Sequence, residues 1–223
     1  MKLSFWGTFS EMTTASPPMP GRPRDPQKDR DVLQAARELL VEHGYQGTTI
    51  VAIARRAGVG APTIYRRWPS REALIEDAAF GHTEPAAVPE PSGDLRTDLG
   101  AWAHTFLNQL ADPVTRAAIP GLLLAYQRED GLYERLVNRA EHDVRALLAQ
   151  LLAGYLTDLT ARQLAARSDA VFDLLVATTT VRALTQGLAD HERFCEQTAD
   201  ALTALANSSW QPSRRTKAVR RPK

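Results

Sequence analysis

The chain has 223 residues, 43% of them hydrophobic and 24% charged, so it is too apolar to be disordered throughout and long enough for one large domain or a small one beside a medium one. Its single cysteine, Cys195, excludes an intramolecular disulfide and a cysteine-based metal cluster, and it fits a reducing compartment. No run of about 18 apolar residues is available to cross a membrane, and the opening MKLSFWGTF, interrupted by Ser4, Gly7 and Thr8, is too short for the apolar core of a signal peptide.

Residues 1–20 end in Ser16-Pro17-Pro18-Met19-Pro20 and read as disordered, with Met12 and Met19 as alternative starts to Met1. A short basic arm, Gly21-Arg22-Pro23-Arg24, follows. Asp25-Pro26 then offers a helix cap and a proline at the first helical position. From there to His43, Val32, Leu33, Ala36, Leu39 and Leu40 share one face, and Gly44 is placed to end the helix. Thr49 is the expected cap of a second helix whose buried side carries Ile50, Ile53, Ala54 and Ala57. Gly58-Val59-Gly60 makes a turn. A third helix starts near Pro62, runs to about Trp68 and is broken by Pro69. Ser70 caps a fourth, over residues 71–82.

Residues 84–93, rich in proline, read as a linker. Beyond it every pattern is helical. Leu95, Leu99, Trp102, Ala103, Phe106 and Leu110 form one stripe. Asp112-Pro113 starts a short helix and Pro120 another. A long helix over residues 132–156 carries Leu136, Ala140, Val144, Leu147, Leu148, Leu151 and Tyr155 on one side. Two more are expected around residues 169–188 and 192–206, and residues 211–223 form a basic, disordered tail. The fold class expected is therefore all-α. Charge is segregated along the chain: +2 over residues 21–82, −7 over residues 83–212 and +6 over residues 213–223, within a net charge of +1. The front of the chain is thus the end suited to a polyanion.

Residues 48–74, TTIVAIARRAGVGAPTIYRRWPSREAL, hold the main functional signal. A short helix with small residues on its inner face, a glycine turn, and a second short helix with polar residues outward form a helix-turn-helix. The turn needs positive φ, which Gly58 or Gly60 supplies. Ile64 and Trp68, four apart, anchor the second helix inward, which leaves Ala61, Pro62, Thr63, Tyr65, Arg66 and Arg67 to face a duplex. A helix of this size fits the major groove.

These residues resemble the DNA-binding domain of the TetR family of bacterial regulators. The resemblance is carried by Ala54, Gly58-Val59, Thr63-Ile64-Tyr65, Trp68 and Ser70-Arg71-Glu72-Ala73-Leu74. It extends to Ala35-Ala36, Leu39-Leu40, Gly44-Tyr45 and Thr48-Thr49 in the preceding segment. It implies DNA contacts at Thr49, Val51, Ala61, Pro62, Thr63, Tyr65, Arg66, Arg67 and Arg71. Thr49, Thr63, Arg67 and Arg71 would meet phosphates, Tyr65 the backbone or a thymine methyl, and Ala61, Pro62 and Arg66 the bases, with Val51 adding a methyl contact. Pro69 departs from the family, where a polar residue is common. Arg22 and Arg24 would enter a flanking minor groove or neutralise phosphate. For Arg55 and Arg56 a solvated surface is the better reading.

The resemblance also implies an organisation. Residues 1–24 would be a disordered arm, 25–82 a three-helix DNA-binding domain, 83–210 a larger effector-binding and dimerisation domain, and 211–223 a disordered tail. The partners expected are an operator duplex, a second copy of the chain and a small-molecule effector, in the cytoplasm. Trp102, Phe106, Tyr126, Tyr133, His142 and Phe172 are candidates to line the effector pocket. Leu174, Leu175, Thr178, Val181, Leu184, Phe194, Leu202 and Leu205 are candidates for a homodimer interface. No cofactor, metal site or enzymatic activity is expected, because His43, His82, His104, His142 and His191 are scattered and no catalytic motif is present. The alternatives are a helical protein-interaction module and a DNA-binding protein without an effector.

Overall fold

The computed structural model describes residues 26–81, 88–128 and 142–209. Among these residues it contains nine α-helices and no strand: α1 (Pro26–Gly47), α2 (Ile50–Arg56), α3 (Ala61–Tyr65), α4 (Arg71–Phe80), α5 (Leu95–Ala111), α6 (Pro113–Arg128), α7 (His142–Tyr155), α8 (Ala161–Thr185) and α9 (His191–Ala206). The all-α expectation holds. None of these helices is long and apolar enough to cross a membrane.

Several boundaries differ from the sequence reading. Gly44 does break α1, with φ 64°, and the turn beyond it winds on to Gly47. Helix α3 stops at Tyr65, and Arg66 and Arg67 lie in the turn after it. Pro120 starts no helix; α6 runs through it. Pro120 is exposed, while Ala118, Ile119 and Leu122 are buried on the other side. Packing therefore holds the helix across the one backbone bond that proline removes. Helix α8 begins eight residues earlier than expected, because Thr160 and Gln163 form a reciprocal capping box. Of the long helix expected over residues 132–156, the part before His142, with Leu136 and Ala140, lies outside the described residues.

Three apolar clusters organise the molecule. The first lies within the front helices, where Val32, Ala36 and Leu39 of α1 meet Ile50, Ile53, Ile64, Trp68 and Leu74. The last centres on Leu99, Trp102, Leu107, Leu148, Leu152, Phe172, Leu175, Cys195 and Leu202, where α5 packs on α8 and α9, and α7 on α8. Between them a smaller cluster joins Leu40 and Tyr45 to Ile75 and Ala79 of α4 and to Val114, Ala118 and Leu122 of α6.

Polar bonds finish this middle contact. The C-terminal carbonyls of α4 have no partner within their own helix. Arg37 Nη1 of α1 donates to Ala78 O (2.9 Å), and Thr115 Oγ1 of α6 donates to Ala79 O (2.9 Å). Tyr126 of α6 donates to the buried Glu76 carboxylate (3.0 Å). A similar device closes α9, where the buried Arg167 of α8 donates to Leu205 O (3.2 Å) and Ala206 O (2.5 Å).

The Tyr45 ring lies so close against Gly121 of α6 that a Cβ at residue 121 would fall inside the ring carbons. An alanine inside a helix ordinarily stabilises it by about 1 kcal/mol over glycine. Here the sign reverses. Gly121→Ala is expected to destabilise the protein by about 1–3 kcal/mol through overpacking, read as a lower thermal midpoint. Tyr45→Ala in the same chain should relieve much of that loss.

A second polar contact ties the 88–94 strap to the body. Asp98, buried in α5, accepts from Ser92 N–H (2.7 Å) and from the Tyr155 hydroxyl (2.6 Å). Burial alone would raise its pKa, but the bonds from Ser92 and Tyr155 outweigh it and hold the carboxyl below 3.8. A carboxyl whose folded pKa is depressed stabilises the fold fully above the unfolded value, and that stabilisation is lost as pH falls through the folded pKa. Chemical denaturation of Tyr155→Phe across pH should therefore show the widest gap from wild type above pH ~4, narrowing towards acid.

Candidate nucleic-acid interface

The front three-helix unit is shaped by short-range chemistry. The Thr49 side chain accepts from Ala52 N–H (3.1 Å) and caps α2. Its own hydroxyl proton stays available to an acceptor. At the other end of α2, Val59 N–H donates to Ala54 O (3.0 Å) and Gly58 N–H to Arg55 O (3.4 Å), with Gly58 at φ 64°. This pair of bonds is a Schellman closure and requires the left-handed residue that glycine supplies. Gly60 needs no such freedom: its φ is −79°.

Pro62 sits in the first turn of α3, where a missing N–H costs little. Ile64 is fully buried. Trp68 is nearly so, and its indole Nε1 donates to Asp77 Oδ2 of α4 (2.6 Å). The two anchors expected from their four-residue spacing therefore both point inward. The opposite side presents Pro62, Tyr65 and Arg66, all exposed, with Ala61 and Thr63 half-buried between them. Val51 is 75% exposed at the start of α2, although valine prefers the core. Arg66 Nη2 donates to Thr63 Oγ1 (3.1 Å), which steers the guanidinium along α3.

The arginines divide into two kinds. Arg66 faces out. Arg67 pairs with Asp29 of α1 and is half-buried. Arg71 turns inward: Nε donates to Thr48 O (2.7 Å), Nη2 donates to Tyr45 O, and the guanidinium stacks over the Tyr45 ring at 4.2 Å. Arg67 and Arg71, the residues expected at phosphates, each also have a partner within the front unit. Arg56 likewise forms a paired bond to Glu42 (2.7 Å to each oxygen) and lies near Glu38. The arm with Arg22 and Arg24 and the basic tail lie outside the described residues.

Tyr45 and Glu72, positions of the family resemblance to which the sequence assigned no role, complete the Arg71 contact. The Tyr45 hydroxyl donates to Glu72 Oε1 (3.1 Å), and burial together with the Glu72 charge pushes the phenol pKa up to about 12. Glu72 and Glu76, four apart on α4, turn two carboxylates inward to Tyr45 and Tyr126.

The aromatic residues expected around an effector do not converge. Trp102, Phe106 and Phe172 pack on one another, with ring centroids 6.0 and 5.8 Å apart, in the core between α5 and α8. Tyr126 belongs instead to the cluster between α4 and α6. Tyr133 and the side chain of His142 lie outside the described residues. Of the expected interface residues, Leu175 and Leu202 are fully buried within the single chain and have no surface to offer a partner. Val181 is 62% exposed, and Leu174, Thr178, Leu184, Phe194 and Leu205 are half-buried.

A three-helix unit with a glycine turn, an inward-anchored short helix and an outward polar face defines a helix-turn-helix DNA-binding transcription regulator. The model of the family described as "Bacterial regulatory proteins, tetR family" matches residues 32–78, and that of the "Tetracyclin repressor-like, C-terminal domain" matches residues 89–202. An uncharacterized HTH-type transcriptional regulator of Mycobacterium tuberculosis is 31% identical over 158 residues, 69% of this chain and 77% of its own length. A putative transcriptional regulator from Pseudomonas aeruginosa superposes with a TM-score of 0.59 at 21% identity, over 82% of this chain and 93% of that one. A TetR transcriptional regulator from Agrobacterium tumefaciens does so with a TM-score of 0.58 at 22% identity, over 80% and 94%. The chain belongs to the TetR family of bacterial transcription regulators.

The division of the arginines gives contrasting expectations. Arg66→Ala should leave the thermal midpoint unchanged and cost about 1–3 kcal/mol on a matched site, with little loss on a scrambled one. Arg71→Ala should lower the thermal midpoint, because two backbone carbonyls lose a charged donor worth about 1.5–3 kcal/mol each. Its DNA binding should fall on both sites together. Binding isotherms on both duplexes beside melting curves separate the two roles, and equal losses for Arg66→Ala would remove it from base reading.

Proposed function

We propose that the chain is a cytoplasmic repressor that binds a palindromic operator as a homodimer and is released by a small-molecule effector. Residues 25–82 form the DNA-binding domain and residues 83–210 the effector and dimerisation domain. The observation that carries the DNA reading is the outward surface made by Thr49, Val51, Pro62, Tyr65 and Arg66, beside arginines already satisfied within the protein. Arg66 would read a base, with a bidentate guanine contact as the favoured pairing. Thr49 and Thr63 would meet phosphates, and Tyr65 with Val51 would supply apolar contacts.

Dimerisation is supported by what α8 leaves uncovered. Leu174, Thr178 and Val181 follow at helical spacing on α8, with Leu184 beside them, and Leu188 lies in the turn beyond the helix. Val181 and Leu188 stay exposed in the single chain. The Thr178 hydroxyl is satisfied by Leu174 O (2.7 Å), so its burial in an interface carries no unpaired donor. A two-fold pair would set the two reading units one duplex turn apart, about 34–36 Å, or a multiple of it.

The effector reading rests on α6, which touches both α1 and α4. A ligand that favours one position of α6 would shift the front unit with it, provided its affinity differs between the two states. The packed Trp102–Phe106–Phe172 core favours the second reading, a DNA-binding regulator in which nothing occupies that core.

Electrophoretic mobility shift on DNA upstream of the gene, with sedimentation of the free protein, tests the proposal. Wild type should sediment as a dimer at micromolar concentration and shift a palindrome. Val181→Glu should sediment as a monomer and bind the same duplex at least about tenfold more weakly, a loss of about 1.4 kcal/mol or more. A monomeric wild type that binds the duplex as tightly would overturn the dimer reading.

A further inference from the structure

Outside the helix-turn-helix, the fold brings one side chain of α5 against two neighbouring residues at the start of α9. His104 lies on α5, and His191 and Glu192 begin α9. His104 Nε2 is 3.3 Å from Glu192 Oε2, and His191 Nε2 is 3.1 Å from Glu192 Oε1. The two imidazoles stand edge to face, with centroids 5.8 Å apart at 89°. One ligand atom from each residue can be chosen so that all three lie within 4.8 Å of one another.

We propose that His104, His191 and Glu192 form a binding site for a borderline divalent transition metal, with Zn²⁺ as the representative ion. The chemistry of the donors sets the class. Two imidazole nitrogens and one carboxylate oxygen suit Zn²⁺ and its first-row neighbours, whereas Mg²⁺ and Ca²⁺ call for oxygen ligands throughout.

The His191 ring is already oriented for the task. Its Nδ1 lies 3.0 Å from Leu188 O, a carbonyl that can only accept, so an Nδ1–H donates there and an ion that displaces the proton from Nε2 leaves that bond in place. That bond from the far ring nitrogen to a backbone carbonyl is the arrangement that fixes the tautomer of metal-binding histidines. His104 and His191 are each about one-third exposed and Glu192 is largely exposed, so an ion can enter from solvent. Ideal first-row bonds of about 2.0–2.2 Å require the three groups to draw together from their present spacing. Rotation of the exposed Glu192 and small ring movements supply that. Three protein ligands leave the fourth tetrahedral position open to water or to a group from outside. A bound ion would clip the middle of α5 to the first turn of α9, across the longest stretch of chain joining two packed helices of the body.

The test uses untagged full-length protein freed of metal by a chelator. Zn²⁺ is titrated in competition with a chromophoric chelator, Co²⁺ is followed by its visible absorption, and thermal unfolding is measured with and without Zn²⁺. One ion should bind per chain, with a tetrahedral Co²⁺ spectrum and a Zn²⁺-dependent rise in the thermal midpoint. His104→Gln and His191→Gln should each weaken binding at least about tenfold and abolish the Co²⁺ spectrum, with metal-free midpoints close to wild type. Glu192→Gln, at the most exposed of the three positions, gives the same reading should a histidine variant fail to fold. His43→Gln should bind as wild type does. Absence of stoichiometric uptake, or uptake unchanged in His104→Gln and His191→Gln, would overturn the site.

Discussion

The structure depends on two backbone carbonyls at the end of α1, that of Tyr45, which also accepts from Thr48 N–H (3.2 Å), and that of Thr48. Tyr45 O and Thr48 O point at the start of α4, and Arg71 supplies donors to both while its guanidinium stacks on the Tyr45 ring. A lysine could give neither the planar fork nor the stacking. From that contact the rest follows in sequence. Tyr45 is held against Gly121 of α6, Glu72 takes the Tyr45 hydroxyl, and α4 lies buried along nearly its whole length between α1 and α6.

This arrangement has a mechanical consequence. The helix-turn-helix is bonded to α4, through Trp68 and Asp77, and to α1, through Arg67 and Asp29. Helix α4 is in turn bonded to α6 at Glu76 and Ala79. Packed helices shift between discrete arrangements more readily than they deform. The front unit and α6 are therefore linked through α4 by packing and by side-chain bonds. On the outward side of α3, Arg66 projects with Thr63 as its partner and can exchange solvent for a base.

Much of this was legible from residue order. The cap at Thr49, the turn at Gly58, the inward pair Ile64 and Trp68 and the cap at Ser70 all stand where the sequence put them. Each depends on neighbours within a few residues, which is the range over which spacing and capping rules operate. The misreadings share an opposite cause. Pro120 looked like a helix start, because the packing that carries α6 through it comes from α1 and α4. The internal partners of Arg67 and Arg71, Asp29 and the Tyr45–Thr48 turn, left no mark because they lie more than twenty residues away. Trp102, Phe106 and Tyr126 looked like one aromatic set but are divided between two cores.

The sequence by itself determined the helical class, the helix-turn-helix and the family, since these rest on periodicity, capping residues and a turn that only glycine fits. Tertiary structure alone decided which charged side chains are used up inside the protein and which distant groups meet. Asp98 finds Tyr155 across 57 residues, Tyr126 finds Glu76 across 50, and His104 meets His191 and Glu192 at the end of another helix. Such pairings leave no periodic mark on the chain. They are set by how helices pack, and packing is decided by the whole core at once.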